Sequence, residues 1–525
     1  MVAHVAVLYS RDRRRAWTVA ILQSNKAWPR HRPASVMATA AASPSSLLPC
    51  LLFSSLLFCS LSTCRCSQRP GRKDHARTHH VVDIRTLLPG DVCSPSKGSK
   101  HTGLRVLHRH GPCHHSQYGQ PSKLTPEQTL LLDESRAESL RRQRRQPVAA
   151  DMLTTKRRPV PGGSLATTIN ATLGVALGTA NYVVKVGFGT PRKELSVVFD
   201  TGSDLTWIQC QPCVAYCYSQ QEPIFDPTGS SSYHNISCSS TECASIRSAT
   251  GNAPGCSASN CLYAIQYGDN SYSIGFYAQE TISLTLTDAL PGVRFGCGEK
   301  NRGLFGKAAG LLGLGRDAVS LVSQASSKNG KVFSYCLPSR SSYTGYLSMG
   351  AKASAGVASF TPMLSVSSMP SFYFLDMVGI TVGGRQLSIP ATVFQNAGTL
   401  IDSGTVITRL PPDAYSALRT AFRQSMSRYP TAPSVSILDT CYDLSGYSVV
   451  SIPAASLLFR GGVSLDVDVT GIMYLVNGAK QACLAFAGNS DPSSVGIIGN
   501  SQQKRYKVVY DAAREVIGFG QGGCS

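Results

Sequence analysis

From Asn181 onward the chain alternates short apolar runs with Gly, Pro, Ser and Asn. The runs "NYVVKVGFGT" (181–190), "LSVVFD" (195–200), "LYAIQYGD" (262–269), "TISLTLTD" (281–288) and "GVRFGCG" (292–298) recur at strand-plus-turn spacing. That is the pattern of half-buried strands in an all-β protein. "FYFLDMVGITVGG" (372–384) and "YKVVYDAAREVIGF" (506–519) carry it toward the C-terminus. Helical periodicity is rare. "PPDAYSALRTAFRQSM" (411–426) opens on proline and spaces its apolar residues along one helix face. "LTPEQTLLLDESRAESLRRQRRQ" (124–146) reads as a second helix, with Pro126 near its start and Leu130, Leu131, Leu132 and Leu140 as its apolar content. The predicted fold class is all-β with a few short helices.

Two of the strands end in an unusual way. "VVFDTGS" (197–203) and "TLIDSGT" (399–405) each run from apolar residues into an aspartate, then into hydroxyl–Gly–hydroxyl. A carboxylate at the end of a buried strand is costly unless other groups hold it. Each string is followed by its own apolar–apolar–Gly run, in "AAGLLGLGR" (308–316) and "SVGIIGNSQ" (494–502), so the chain carries an internal repeat. Two such lobes bring Asp200 and Asp402 together on a shared axis. Two carboxyls a hydrogen bond apart cannot both ionise, so one keeps a proton. The ionised member then draws a proton from water while the protonated member hydrogen-bonds a scissile carbonyl. Gly202 and Gly404 allow a tight turn and close backbone approach. Thr201, Ser203, Ser403 and Thr405 offer hydroxyls to the carboxylates or to the opposite lobe. The bland alternative is a pair of Asx turns closing two strands.

With these motifs the chain resembles the pepsin-fold aspartic proteases. More narrowly it is similar to the plant nepenthesin-like group and its chloroplast-nucleoid DNA-binding and apoplastic aspartyl protease subfamily. The resemblance covers about 175–525 and implies two pseudo-symmetric β lobes, at 164–370 and 371–525. It implies catalysis by Asp200 and Asp402, whose proton sharing is the known behaviour of such dyads. It also makes Tyr267 and Gly268, in "IQYGDNS", part of a flap over substrate, with Trp207 the tyrosine's hydrogen-bond partner. "LLG" (311–313) and "IIG" (497–499) match the paired loops beneath the aspartates. The segment 210–261, with Cys210, Cys213, Cys217, Cys238, Cys243, Cys256 and Cys261, resembles the Cys-rich insert of that group. No cofactor is expected, and the implied substrates are proteins and peptides, cut between bulky apolar residues by a monomer.

Charge and cysteine then divide the chain. The formal net charge is +20, but residues 1–163 hold 26 Lys+Arg against 9 Asp+Glu, and 164–525 hold 24 against 21. The basicity belongs to the front, so a nucleic-acid-binding face on the main body is not expected. Twelve of the 18 cysteines lie in the body, at 210, 213, 217, 238, 243, 256, 261, 297, 336, 441, 483 and 524. An even dozen points to about six disulfides involving Cys297, Cys336, Cys441, Cys483 and Cys524 beside the insert cysteines, and to an oxidising compartment. The C-x-x-C at Cys210 and Cys213 has no second pair, and the body has one histidine, His234, which argues against zinc.

The front end reads as targeting and processing. Leu47–Leu61 has the length of a signal-peptide core and is too short for a membrane span. Residues 37–66 are therefore expected to be a signal peptide, and 1–36 either a gene-model extension before Met37 or a transit-like segment. Residues 67–163 form a basic pro-segment, which can plug an acidic cleft electrostatically. No lipid-anchor signal is expected at the C-terminus. Asn170 in "NAT" and Asn235 in "NIS" fit the glycosylation sequon. The expected location is secreted, into the apoplast, with vacuole and chloroplast as alternatives. Other protease classes fail on inventory, since the body cannot assemble a Ser-His-Asp triad or a Cys-His pair unless His234 serves, and it has no H-E-x-x-H. Two other readings stand beside the protease. One is a catalytically silent pepsin-fold inhibitor resembling the plant xylanase inhibitors; the other is a plastid protease with added DNA binding.

Overall fold

A computed structural model describes residues 78–94, 103–109, 111–113, 125–145, 182–267, 271–303 and 305–524. All lie within one compact unit, Asp74–Ser525. Strands dominate, and runs that the sequence pattern marks as half-buried are buried on both faces. In Tyr182–Phe188 only Lys185 is exposed, and in Lys193–Asp200 everything from Leu195 onward is buried. "TISLTLTD" is the exception. The strand Tyr272–Ser283 stops within it, and the Leu284 amide donates to the Asp288 carbonyl at 2.8 Å, so "LTLTD" makes the hairpin turn into Ala289–Arg302.

One antiparallel run of strands crosses the molecule. Lys193–Asp200 pairs with Tyr182–Phe188, which pairs with Leu104–His108, and that with Thr344–Met349. Val332–Cys336, Lys507–Asp511 and Val516–Gly520 follow in turn. The N-terminal segment therefore supplies a central strand, Leu104–His108, which the sequence reading did not anticipate. It fits because Leu104, Val106 and Leu107 are buried there. Beneath this sheet Phe199, Phe333, Tyr335, Tyr373 and Tyr510 are fully buried, with Phe333 stacked on Tyr510 at 4.5 Å. Aromatic packing of this kind makes the floor under the aspartates rigid.

The helix Pro412–Ser425 begins on proline, with Asp413 in its first turn and Arg423 in its last, both favourable to the helix dipole. It buries Ala414, Tyr415, Leu418 and Phe422, the face that the sequence spacing marks. The helix Pro126–Arg145 also forms, over the range its sequence predicts.

All twelve body cysteines pair: Cys210–Cys297, Cys213–Cys217, Cys238–Cys256, Cys243–Cys261, Cys336–Cys524 and Cys441–Cys483. Cys210 and Cys213 take different partners, so the C-x-x-C is not a metal clip. A seventh bond, Cys93–Cys113, lies in the N-terminal segment. Among the described residues no helix is long and apolar enough to cross a membrane. Asn170 lies outside the described residues. Asn235 is exposed on the short strand His234–Asn235.

Candidate active site

The internal repeat is visible in the strand pairing. In the first half, Gly310–Gly313 runs parallel to Val197–Asp200 and antiparallel to Ile208 and Trp207. In the second, Gly496–Ile498 runs parallel to Thr399–Ile401 and antiparallel to Arg409. A threonine braces each: the Gly313 amide donates to Thr206 Oγ1 at 3.1 Å, and the Gly499 amide to Thr408 Oγ1 at 3.0 Å. The apolar–apolar–Gly runs therefore lie directly alongside the strands that deliver Asp200 and Asp402. Asn500 Nδ2 and Gln503 Nε2 add donors to the carbonyls of Ser403 and Asp402.

Both aspartates are fully buried. Asp200 accepts from the Gly202 amide at 3.0 Å and the Ser203 hydroxyl at 2.8 Å; Asp402 accepts from the Gly404 amide at 3.0 Å and the Thr405 hydroxyl at 2.6 Å. The hydroxyl–Gly–hydroxyl turns thus do the same thing twice. The two turns also hold each other. The Ser403 amide donates to Thr201 Oγ1 at 2.9 Å and the Thr201 amide to Ser403 Oγ at 3.1 Å. Glycine is required at both turns by approach rather than by φ. A Cβ on Gly202 would lie 2.7 Å from Asp402 Oδ1, and one on Gly404 would lie 2.6 Å from Asp200 Oδ1.

One side chain joins the pair. Arg136, on the helix Pro126–Arg145, donates from Nη2 to Asp200 Oδ1 at 2.7 Å and to Asp402 Oδ1 at 3.0 Å, and from Nε to Asp402 Oδ2 at 2.8 Å. The two carboxyls then diverge. Burial pushes Asp200 up, reinforced by the Asp402 charge and opposed by Arg136. Burial acts on Asp402 in the same sense, but Arg136 and the Thr405 hydroxyl outweigh it and hold that carboxyl below its ordinary range. The helix is fixed on both sides of Arg136. Leu130 packs among Val406, Ile407 and Leu438, and Ala137 and Leu140 pack among Met369, Phe374 and Ile497. Asp133 is buried between them. Its Oδ1 accepts from the Val406 amide at 2.5 Å and its Oδ2 from the Ile407 amide at 2.9 Å, and Arg409 Nη2 stands 3.0 Å from Oδ2.

The predicted flap pair is in contact, with Trp207 Nε1 donating to the Tyr267 hydroxyl at 2.7 Å. Phe305 packs edge-on to both rings, at 4.9 and 5.9 Å. Gly268 lies outside the described residues. A cavity of about 410 Å³ remains beside the helix, lined by Arg136, Gly202, Asp204, Tyr267, Phe305 and Met369 among others. Asp204, at its edge, is pushed up to about 7 by burial and accepts from the Asp317 amide at 2.9 Å.

Sequence reasoning missed Asp133, Arg136 and Arg409. A signal was present. Leu130, Asp133, Ala137 and Leu140 fall at i, i+3, i+7 and i+10 on one helix face, so a charged residue stood on the apolar stripe. Arg409 is the seventh residue after Asp402, as Trp207 is the seventh after Asp200.

A bilobal β protein with an aspartate closing one strand of each repeat, and a tyrosine bonded to a buried tryptophan in the first lobe, has the architecture of a pepsin-like aspartic protease. Comparison narrows this. The Xylanase inhibitor N-terminal family matches residues 182–351 and the Xylanase inhibitor C-terminal family residues 372–521. The chain is 49% identical over 459 residues to an aspartyl protease family protein of Arabidopsis thaliana, covering 87% of this chain and 95% of the relative. It is 42% identical over 451 residues to the aspartyl protease AED1 of Arabidopsis thaliana, covering 85% and 92%. It is 38% identical over 356 residues to the aspartic proteinase nepenthesin-2 of Nepenthes gracilis, covering 66% and 78%. Among solved structures, edgp superposes with a TM-score of 0.52 at 20% identity, covering 66% of this chain and 93% of that one; basic 7S globulin from soybean gives 0.50 at 21%, covering 65% and 90%. At those identities they share the fold. The chain belongs to the plant pepsin-like aspartyl proteases of the nepenthesin-like group, and it is an aspartic endopeptidase.

Proposed function

We propose that this chain is made as an inactive precursor, enters the secretory route, and becomes an acid-active endopeptidase that uses Asp200 and Asp402. The observation that carries the reading is Arg136, whose guanidinium occupies both carboxylates at once. A water cannot take the position between them while three hydrogen bonds from Arg136 fill it. Once the helix leaves, two like charges remain side by side and one must hold a proton. The ionised carboxylate then takes a proton from the bound water as that water attacks the scissile carbonyl. The protonated one donates to the carbonyl oxygen and stabilises the tetrahedral intermediate. The Ser203 and Thr405 hydroxyls and the Gly202 and Gly404 amides keep the carboxyls aimed throughout. Tyr267, tethered by Trp207, closes over an extended peptide, and apolar pockets favour bulky apolar residues on either side of the cut.

Residues 67–163 would be the segment removed, with Arg136 its blocking residue. Seven disulfides among the described residues support passage through an oxidising compartment and secretion. A silent inhibitor role is disfavoured because both aspartates and all their hydrogen-bond donors are in place. The test is casein digestion by the full-length chain before and after a pulse at about pH 4, with and without pepstatin. Pepstatin-sensitive digestion that appears only after the pulse is the expected result; digestion at full rate without the pulse would overturn the precursor reading.

A further inference from the structure

Arg409 is the second lobe's counterpart of Trp207. Each is the seventh residue after its aspartate, and each pairs antiparallel with the apolar–apolar–Gly strand of its lobe. Where the first lobe places an indole that tethers the flap, the second places a guanidinium. It is fully buried, and Nη1 donates to the Ile407 carbonyl at 2.8 Å. Among the described residues the carboxylates that meet it are Asp133 and Glu134, both on the helix Pro126–Arg145. Burying a charge without a counterion is strongly unfavourable. The helix therefore does more than cover the aspartates: Asp133 fills a cradle of two backbone amides, those of Val406 and Ile407, beside the Arg409 guanidinium, whose charge it shares with Glu134.

We propose that in the processed enzyme this cradle is a substrate subsite that selects an acidic side chain. The proposal rests on the precursor reading above, in which the helix departs and Asp133 with it. The cradle survives that departure, because Val406, Ile407 and Arg409 belong to the same strand system as Asp402. A peptide carboxylate that enters restores every contact Asp133 made, namely two amide donors and an ion pair. The Gln side chain of the same shape offers one oxygen and no charge, so Arg409 stays without a counterion. Val406 is four residues beyond Asp402 and Asp133 one helical turn from Arg136, so the selected residue lies within a few positions of the scissile bond. Its recognition needs the ionised acid, and it is lost when the peptide carboxyl protonates.

The test uses the full-length chain after the acid pulse and amidated peptides that differ only in Glu against Gln, scanned through the positions flanking one cleavage site. Amidation removes the terminal carboxylate as a competing source. At about pH 5.5, where free Glu is ionised, one position is expected to favour Glu by about 10-fold in kcat/KM, and the preference should vanish at about pH 3.5. In Arg409→Gln the ratio of kcat/KM for the Glu peptide to that for the Gln peptide should fall to about unity, whatever the variant's overall rate. If loss of the buried Arg409 keeps this variant from folding, the wild-type scan decides alone. No position favouring Glu by more than about 2-fold would overturn the subsite. The same peptides, fluorescently labelled, are scored for binding by anisotropy. Glu-selective binding without cleavage would keep the subsite and sink the protease mechanism, whereas cleavage without Glu preference would do the reverse.

Discussion

Thr201 and Ser403 hold each other across the two halves of the molecule: each main-chain amide donates to the other's hydroxyl, at 2.9 and 3.1 Å. Both side chains are buried, so neither amide has water as an alternative partner. This reciprocal clasp sets the spacing of Asp200 and Asp402, the residues immediately before them. Thr201→Val removes the hydroxyl while nearly keeping the volume and strands the Ser403 amide. The expected cost is about 1–3 kcal/mol of stability, read as a lower Tm, with kcat of the processed enzyme falling about 10-fold or more and KM changing little. An unchanged kcat in a destabilised variant would show that the clasp supports the fold without setting the carboxyl geometry.

Arg136 carries the precursor reading, because it bridges both aspartates. Arg136→Gln keeps the helix's packing through Leu130, Ala137 and Leu140 but removes the charge between the aspartates. Because Leu130, Ala137 and Leu140 still hold the helix over the aspartates, the full-length Arg136→Gln variant should activate after a milder acid pulse than wild type needs, whereas Arg136→Lys should need nearly the wild-type pulse. Time courses of digestion after pulses at near-neutral and acidic pH distinguish the two.

The pH dependence of release has a sign that Glu134 tests. Burial acts to raise its carboxyl, but Arg409 and Arg141 outweigh it and hold it below the ordinary range while the helix is docked. A group lowered in the docked state stabilises docking above its free value, and that hold is lost as pH falls through the docked value. Asp402 has the same sign, since it too is lowered. Asp200 and Asp133 are raised by burial and work in the opposite sense. Glu134→Gln therefore loses an acid-sensitive tether at every pH. Its midpoint for activation should move to higher pH, measured as activity after pulses across a pH series.

Trp207 and Tyr267 offer a separate handle on substrate closure. Trp207→Phe removes the donor to the Tyr267 hydroxyl and keeps an aromatic ring against Phe305. The processed enzyme is expected to lose roughly 10-fold in kcat/KM, with the loss smaller for longer peptides that draw on more of the cleft. Steady-state kinetics on a short and a long peptide would check this.

Much of this architecture was legible in the sequence because it is repeated and periodic. The strands of "NYVVKVGFGT" and "LSVVFD" follow from alternation, and Asp200 and Asp402 stand out because the same string occurs twice before apolar–apolar–Gly runs. The hairpin turn inside "TISLTLTD" was hidden because its Thr and Leu residues alternate as a strand does. Within 67–163 the helix Pro126–Arg145 was legible, and the contacts it makes were not. Asp133 and Arg136 read as solvated charges, since their partners lie more than 60 residues away in sequence. Leu104–His108 was missed because five residues between unpatterned segments carry too little periodicity. Arg409 could have been found by aligning "DTGSDLTW" with "DSGTVITR", where it falls opposite Trp207.

The most direct measurement compares acid-pulsed wild type with Asp200→Asn, checked to be folded by its unchanged Tm and disulfide content. Asn keeps the shape and the Gly202 and Ser203 contacts but cannot share a proton with Asp402. Wild type should digest casein, and Asp200→Asn should fall by about 1,000-fold or more, to the level left by pepstatin. An Asp200→Asn chain retaining digestion within about 10-fold of wild type would contradict the assignment of the two aspartates as the reacting pair.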